Sequence, residues 1–216
     1  MQSLIESIKS VLKKRIDEPR KYLGASAIGN SCHRAIWYSV NYPEYAQITE
    51  RQRLTFEIGH RLESMIIDLL IESGLSIIRP YTFVCRDYPI FQGNSDFAIV
   101  DESGEMISLG EIKTAKDDSF KIFVKKGLRL WYPEYYDQVQ SYMGMSGIDN
   151  YIVIALNKDT SELHEEFVEF DQIWYECLVE KAKRIGESKD IPDGINNNAS
   201  FFKCKICFYT KECHGQ

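Results

Sequence analysis

Residues 92–115 read QGNSDFAIVDESGEMISLGEIKTA, and three side chains within them could act together on one ligand. Two runs of strand composition flank ESGE at 102–105, a four-residue hairpin loop carrying its glycine. If Asp101 pairs with Met106, Asp96 stands directly across from Glu111. Opposed Cβ atoms on one face lie about 4.5–5.5 Å apart, close enough for two carboxylates to share a cation. Lys113 projects from the same face because strands have a period of two. Such an all-oxygen donor set suits hard divalent cations, Mg2+ or Mn2+. A lysine beside it could ease hydroxide formation or steady developing negative charge. Taken alone, the stretch fits equally well an edge hairpin whose Asp, Glu and Lys are simply solvated.

Two helical segments bear on that choice. In TFEIGHRLESMIIDLLI (55–71) one apolar stripe, Ile58, Leu62, Met65 with Ile66, and Leu69, is expected to face the core. A second, Phe56, His60, Glu63, Ile67 and Ile71, is expected to be buried too, taking His60 and Glu63 with it. A lone buried histidine is more often a hydrogen-bonded core residue than a ligand. Beside Glu63, and in a chain that holds the hairpin, His60 reads as a metal ligand, with Glu63 orienting a ligand or water. PEYYDQVQSYMGM (133–145) opens on a proline in its first turn and places Tyr135, Gln138, Tyr142 and Met145 on one stripe. Aromatic stripes are usually core, but a Gln and a Tyr one turn apart at such an edge can reach a phosphate.

The chain ends in CKICFYTKEC, where Cys204, Cys207 and Cys213 follow C-x2-C-x5-C. Cysteine metal sites usually take four ligands, and this stretch offers three. Six cysteines in a long chain that is expected to be cytosolic are not expected to form a disulfide framework. Cys85 and Cys177 read as small buried residues. Cys32, in GNSCHRAIWY, is expected to open a helix capped by Asn30 or Ser31.

These residues need elements to position them. A long helix is expected over 53–73 and ends at Gly74. Strand-like runs follow at 75–85, 93–101, 106–114, 151–157 and 164–170. A helix from Pro133 lies between the third and fourth, and another spans Asp171–Gly186. The N-terminal segment has helical period through Leu4, Ile5, Ile8, Val11, Leu12 and Ile16, and is expected to pack on the core rather than lie on a membrane. Helices interleaved with a hairpin and further strands imply an α/β fold, a mixed β-sheet flanked by helices.

The 216 residues fit one good-sized domain, and no run of about 18–20 apolar residues needed for a membrane span occurs. The mixed N-terminus is unlike a secretory signal, which points to the cytoplasm. A net charge of −6 excludes a protein that coats polyanions through its overall field. A basic run at 113–129, with Lys116, Lys121, Lys125, Lys126 and Arg129, is a local exception that otherwise reads as a solvated face.

GHRLE, GNSD, EIK and QVQSY, in this order and at these separations, resemble the RecB-like branch of the PD-(D/E)XK nuclease superfamily. Cys32 ahead of the histidine and C-x2-C-x5-C at the end are similar to the iron–sulfur exonucleases of the fourth CRISPR-associated protein family. The resemblance spans about residues 26–213. It implies a restriction-endonuclease-like core at 53–186, within a single nuclease domain over 1–216. Segments 26–40 and 200–216 would bind a cluster that staples the two ends together. It further implies that His60, Asp96, Glu111 and the Ile112 carbonyl bind Mg2+ or Mn2+, and that Lys113 positions the nucleophilic water. Gln138 and Tyr142 would bind substrate or support the site. Cys32 would be the fourth ligand beside Cys204, Cys207 and Cys213. Four thiolates suit a 4Fe–4S cluster or zinc, and the distant fourth ligand favours iron–sulfur over zinc. The activity so implied is metal-dependent DNA hydrolysis from single-stranded or free ends, with the basic run tracking the strand and partners in repair, recombination or CRISPR adaptation. The alternatives are a non-catalytic nucleic-acid-binding subunit of the same fold, or a zinc-stapled interaction protein.

Overall fold

A polar interruption at Asp96 divides what reads in the sequence as one strand, and the architecture follows from that division. The computed structural model describes residues 3–15, 18–79 and 81–215. It begins with helix α1 (Leu4–Lys14), strand β1 (Leu23–Gly24) and helices α2 (Ala25–Ile28), α3 (His33–Asn41) and α4 (Glu50–Glu72). Strands β2 (Ile77–Ile78), β3 (Tyr81–Val84), β4 (Phe91–Ser95), β5 (Phe97–Val100) and β6 (Met106–Ala115) come next. Helices α5 (Asp117–Lys126), α6 (Leu128–Trp131) and α7 (Pro133–Ser146) lead to β7 (Asn150–Asn157) and β8 (Leu163–Glu169). Helices α8 (Gln172–Gly186), α9 (Phe202–Lys205) and α10 (Thr210–His214) complete the described chain.

β4 joins a three-stranded sheet of order β1-β4-β3, whereas β5 enters a five-stranded sheet of order β2-β5-β6-β7-β8. Only β6 and β7 of the larger sheet run parallel, and α5–α7 provide the crossover that a parallel pair requires. Alternation along β6 assigns its faces. Leu109 and Ala115 point into the large core with Val139, Tyr142 and Met143 of α7, while Ile112 joins Phe97, Ile154 and the α4 residues Ile66 and Ile67. Helices therefore cover both faces, as the sequence implies.

The hairpin register is as expected at its base and shifted at its tip. Phe97 pairs with Gly110, Ala98 with Leu109 and Ile99 with Ser108, but Val100 pairs with Met106 across a bulge. Asp101 causes the shift. Its carboxylate accepts from Ser103 N, Ser103 Oγ and Glu105 N at 2.7–3.0 Å, and its own amide donates to the Glu105 carbonyl. This Asx-type closure takes Asp101 out of the ladder and leaves Ile107 outside it.

α4 starts earlier than expected, because Thr49 and Gln52 form a reciprocal capping box ahead of Glu50. Its assignment of faces also changes. Ile66 and Ile67 are its buried residues, while Ile58, Met65 and Leu69, expected in the core, are exposed, as are Phe56 and Ile71. In α1 only Leu12 is buried, and Leu4, Ile5, Ile8 and Val11 face outward; Ile16 lies outside the described residues. Both helices rest on a single narrow line of contact, so helical periodicity identifies the elements but not their buried sides.

Gly110 is required by close approach. Phe97, opposite it and 1% exposed, lays its ring over the glycine, and an added Cβ would stand 2.0 Å from Cζ. Gly110→Ala should therefore destabilise the protein by about 1–3 kcal/mol, lowering the melting temperature by roughly 2–4 °C per kcal/mol. An unchanged melting curve would show that the ring is free to move.

Candidate active site

At the end of the β5–β6 ladder the backbone of β6 loses its neighbour, and a side chain takes over. Asp96 Oδ2 accepts from Ile112 N at 2.7 Å, substituting for the strand that stops at Phe97. In a strand the N–H and C=O of one residue leave by the same edge, so the Ile112 carbonyl faces that gap too. Glu111, 3% exposed, lies on the α7 face of the sheet. Its Oε1 accepts from Lys113 Nζ at 2.5 Å and from Gln138 Nε2 at 2.8 Å. Its Oε2 accepts from the Tyr151 hydroxyl at 3.3 Å. Gln138 also donates to the Tyr142 hydroxyl at 3.0 Å, and Lys113 Nζ stands 4.4 Å from the centre of the Tyr135 ring.

The structure brings Asp96, Glu111, Ile112 and Lys113 together, with Asp96 joined to β6 through the Ile112 amide rather than by ladder pairing with Glu111. Gln138 and Tyr142 occupy a different place from an exposed phosphate contact. Both are buried behind Glu111, where they fix its orientation. Tyr142 can reach this depth because β4 carries Gly93; an added Cβ there would lie 2.4 Å from Tyr142 Cε1. Sequence reasoning missed Tyr151, whose only signal was a tyrosine at the start of an otherwise aliphatic strand.

Burial raises the Asp96 carboxyl pKa to about 8, with Glu111 and Glu63 adding to it and Lys113 and the Ile112 amide opposing it. For Lys113, burial works downward, but Glu111 and Asp96 outweigh it and the net shift is upward. Glu63 is also raised, first by burial, with His60 acting against the shift and Glu111 adding to it. Two carboxylates in a poorly solvated site, with one lysine between them, have a deficit of positive charge that a divalent cation would fill.

His60, expected to be buried and to complete the ligand set, is exposed. It stands on α4, which covers the sheet face opposite Glu111, and it lines a cavity of about 1610 Å³ between α4, α2–α3 and the C-terminal segment. Among the described residues, no three of His, Cys, Asp or Glu gather in a geometry that holds a metal ion.

All four cysteines of the sequence pattern, Cys32, Cys204, Cys207 and Cys213, line that same cavity. Cys32 is itself the N-cap of α3 rather than its first residue, and its amide donates to Asn30 Oδ1 at 2.8 Å. Arg34 Nη1 donates to Cys213 Sγ at 3.3 Å. Burial raises the Cys204 thiol, with Cys32 and Cys213 adding to the shift. Cys85 is buried against the Tyr175 hydroxyl at 3.5 Å, but Cys177 is exposed, contrary to expectation.

The basic run lies on α5 and α6. Lys125 and Lys126 are exposed in the last turn of α5, and Lys116 is its N-cap. Lys121 pairs with Asp117 at 2.6 Å, while Arg129 stands over the Trp174 and Tyr136 rings at 4.6 and 5.3 Å. Two of the five cations are therefore engaged within the chain.

The fold is the restriction-endonuclease-like one. The structure is similar to the alkaline exonuclease LHK-Exo of Laribacter hongkongensis, with a TM-score of 0.57 and 18% identity over 83% of this chain and 90% of that one. The same enzyme in complex with dAMP gives 0.56 and 17% identity over 83% and 90% of the two chains. SSO0001 gives a TM-score of 0.58 and 18% identity over 97% of this chain and 95% of that one. No family profile and no curated protein matches the sequence. No helix among the described residues is long and apolar enough to cross a membrane.

The raised Asp96 carboxyl has a consequence for stability. The folded chain holds a proton that the unfolded chain gives up near 3.8, so metal-free protein should lose stability as pH rises from about 4 to about 8. Asp96→Asn should remove most of this pH dependence. Thermal melts in chelator across that range check it. A parent and variant with the same slope would mean that Asp96 is well solvated.

Proposed function

We propose that the chain is a divalent-metal-dependent deoxyribonuclease, an exonuclease acting on single-stranded or free DNA ends in the cytoplasm. The observation that carries this reading is the meeting of Asp96, Glu111 and Lys113 where the β5–β6 ladder ends, with the Asp96 carboxyl pushed up to about 8. A buried and a half-buried carboxylate whose charge is incompletely matched are costly without a cation and suited to one. The likeness to structures of an exonuclease, one with dAMP bound, agrees with it.

Asp96, Glu111 and the Ile112 carbonyl would hold Mg2+ or Mn2+, with His60 approaching from α4. When bound, such an ion supplies charge neutralisation at the scissile phosphate and a water of lowered pKa. Lys113, already on Glu111, is placed to take part in orienting that water and to steady negative charge as it develops. Gln138, Tyr142 and Tyr151 hold the Glu111 carboxylate in one orientation, so that it need not reorganise during reaction. Lys116, Lys125 and Lys126 offer exposed positive charge for the phosphodiester backbone. The whole chain acts as one nuclease domain, with partners in repair, recombination or CRISPR adaptation.

The four cysteines around one cavity have the donor chemistry for a 4Fe–4S cluster. In this reading the cluster is structural and ties the start of α3 to α9 and α10.

Digestion of end-labelled single- and double-stranded DNA with Mg2+ or Mn2+ tests the activity. Glu111→Gln and Asp96→Asn should each reduce cleavage by about 10³-fold or more while the circular dichroism spectrum is kept. Lys113→Ala should lower turnover with less effect on metal affinity. Near-parental cleavage by Glu111→Gln would remove the assignment. Protein purified without oxygen should be brown and hold about four irons per chain; a colourless protein with one zinc would replace the cluster and leave the nuclease reading standing.

A further inference from the structure

A short ladder of rings leads from the site's lysine to the open surface. Lys113 Nζ stands 4.4 Å from the centre of the Tyr135 ring, and Tyr135 stacks on Tyr132 with ring centres 4.8 Å apart and planes inclined by 26°. Tyr132 is thus one ring removed from Lys113. Unlike Tyr135 it is 41% exposed, and it lines the same large cavity as His60.

The position of Tyr132 is fixed from several sides. Pro133 restricts the residue before it to extended backbone, and Tyr132 has φ −143° and ψ 92°. Its amide donates to the Leu128 carbonyl at 2.9 Å, and its carbonyl accepts from the Tyr135 and Tyr136 amides at 2.9 and 3.2 Å. Trp131 meets its ring at 87° with centres 5.4 Å apart. Trp131 is itself anchored, stacked on Phe123 at 4.5 Å and donating from Nε1 to Ser119 Oγ at 2.8 Å. Tyr135 covers one face of the Tyr132 ring, and among the described residues no second ring stacks on the other.

We propose that a nucleobase of the substrate strand stacks on this remaining face, the base next to the phosphate that lies beside Lys113. The inference rests on the nuclease reading, since it takes the scissile phosphate to lie there. A braced aromatic surface beside a cation is the pair of features a single strand uses, a platform for its base and charge for its backbone. A free phosphate has no flat face to match Tyr132, and an apolar side chain has no anion to match Lys113. In a fully paired duplex the neighbouring bases cover each other's faces. A nucleotide at a single-stranded or frayed end offers both features together. Because the ring is already held, binding costs little ordering of the protein. Tyr132 is in this sense a positioning residue, which sets where the strand stops relative to Lys113.

Short single-stranded oligonucleotides carrying a fluorescent purine analogue at each position in turn, titrated onto the full chain with Ca2+ in place of Mg2+, test it. Stacking quenches the analogue, so the parent should quench it at one position near the end. Tyr132→Ala and Tyr132→Leu should each lose that quench and bind the strand about fivefold or more weakly, through loss of one base–ring contact. The leucine variant keeps apolar bulk and should melt like the parent. Tyr132→Phe keeps the ring and should keep the quench. A strand lacking the base at that position should bind the parent more weakly by the same factor, and Tyr132→Ala no more weakly than the intact strand. A parent that quenches no position overturns the proposal. So do alanine and leucine variants that bind like the parent, or base removal that costs parent and Tyr132→Ala equally. Cleavage with Mg2+ or Mn2+ reports separately on the nuclease reading. A chain that quenches without cleaving loses that reading and keeps the platform, whereas one that cleaves without the quench loses the platform alone.

Discussion

A single hydrogen bond, from the Ile112 amide to the Asp96 carboxylate, sets the arrangement of the site. β6 runs on past the end of β5, and its exposed edge would otherwise carry unpaired backbone groups in a poorly solvated region. By supplying the acceptor from a side chain, the protein lets the main chain leave the smaller sheet at Ser95 and enter the larger one at Phe97. The carboxylate that makes this turn possible is thereby brought close to Glu111, where the low local polarity raises its proton affinity. The strand break and the electrostatic tension of the site are one feature seen from two sides. Neither exists without the other.

What was legible in the sequence is what depends on short-range period. Alternation along 97–99 and 108–115 sufficed to bring Asp96 and Glu111 together, since any one-residue slip would turn the apolar set out of the core. The hairpin tip was misread because Asp101 competes for backbone amides with its own side chain, which pairing rules do not include. α4 was recognised as a helix, but two stripes of similar hydrophobicity could not be told apart. Which one is buried depends on the sheet face it meets, a non-local fact. His60 inherited that error. Tyr151 was invisible for a related reason, as its partner Glu111 lies 40 residues away.

The cysteine segment shows how a distant contact is prepared by ordinary polar bonds. Trp37 donates to the Ser188 carbonyl and Arg34 to the Pro192 carbonyl, each at 2.8 Å, so α3 fixes the course of the chain after α8. Lys203 bridges Ser31 and Glu134, and Gln52 of the α4 capping box donates to the Ile206 carbonyl. These bonds join the segment to α3, α4 and α7, and they place four thiols around one cavity before any bound group is considered. Spacing in the sequence signalled the thiols. It could not signal the pins, which are single polar residues with no pattern.

α4 connects these parts, because its capping box touches the cysteine segment, Glu63 lies within electrostatic reach of the carboxylates, and its outer face is exposed. With Ile66 and Ile67 as its buried anchors near mid-length, the helix is held like a beam on a narrow support. Its N-terminal half, which carries His60, is located by the Arg15–Glu57 pair and by Gln52, both exposed contacts of modest strength. A beam so supported takes its final position from whatever presses on its free side as well as from the sheet beneath it. The separation between His60 and the Asp96–Glu111 pair is therefore set jointly by the C-terminal segment, the sheet and the outer face of α4, rather than by the catalytic hairpin alone.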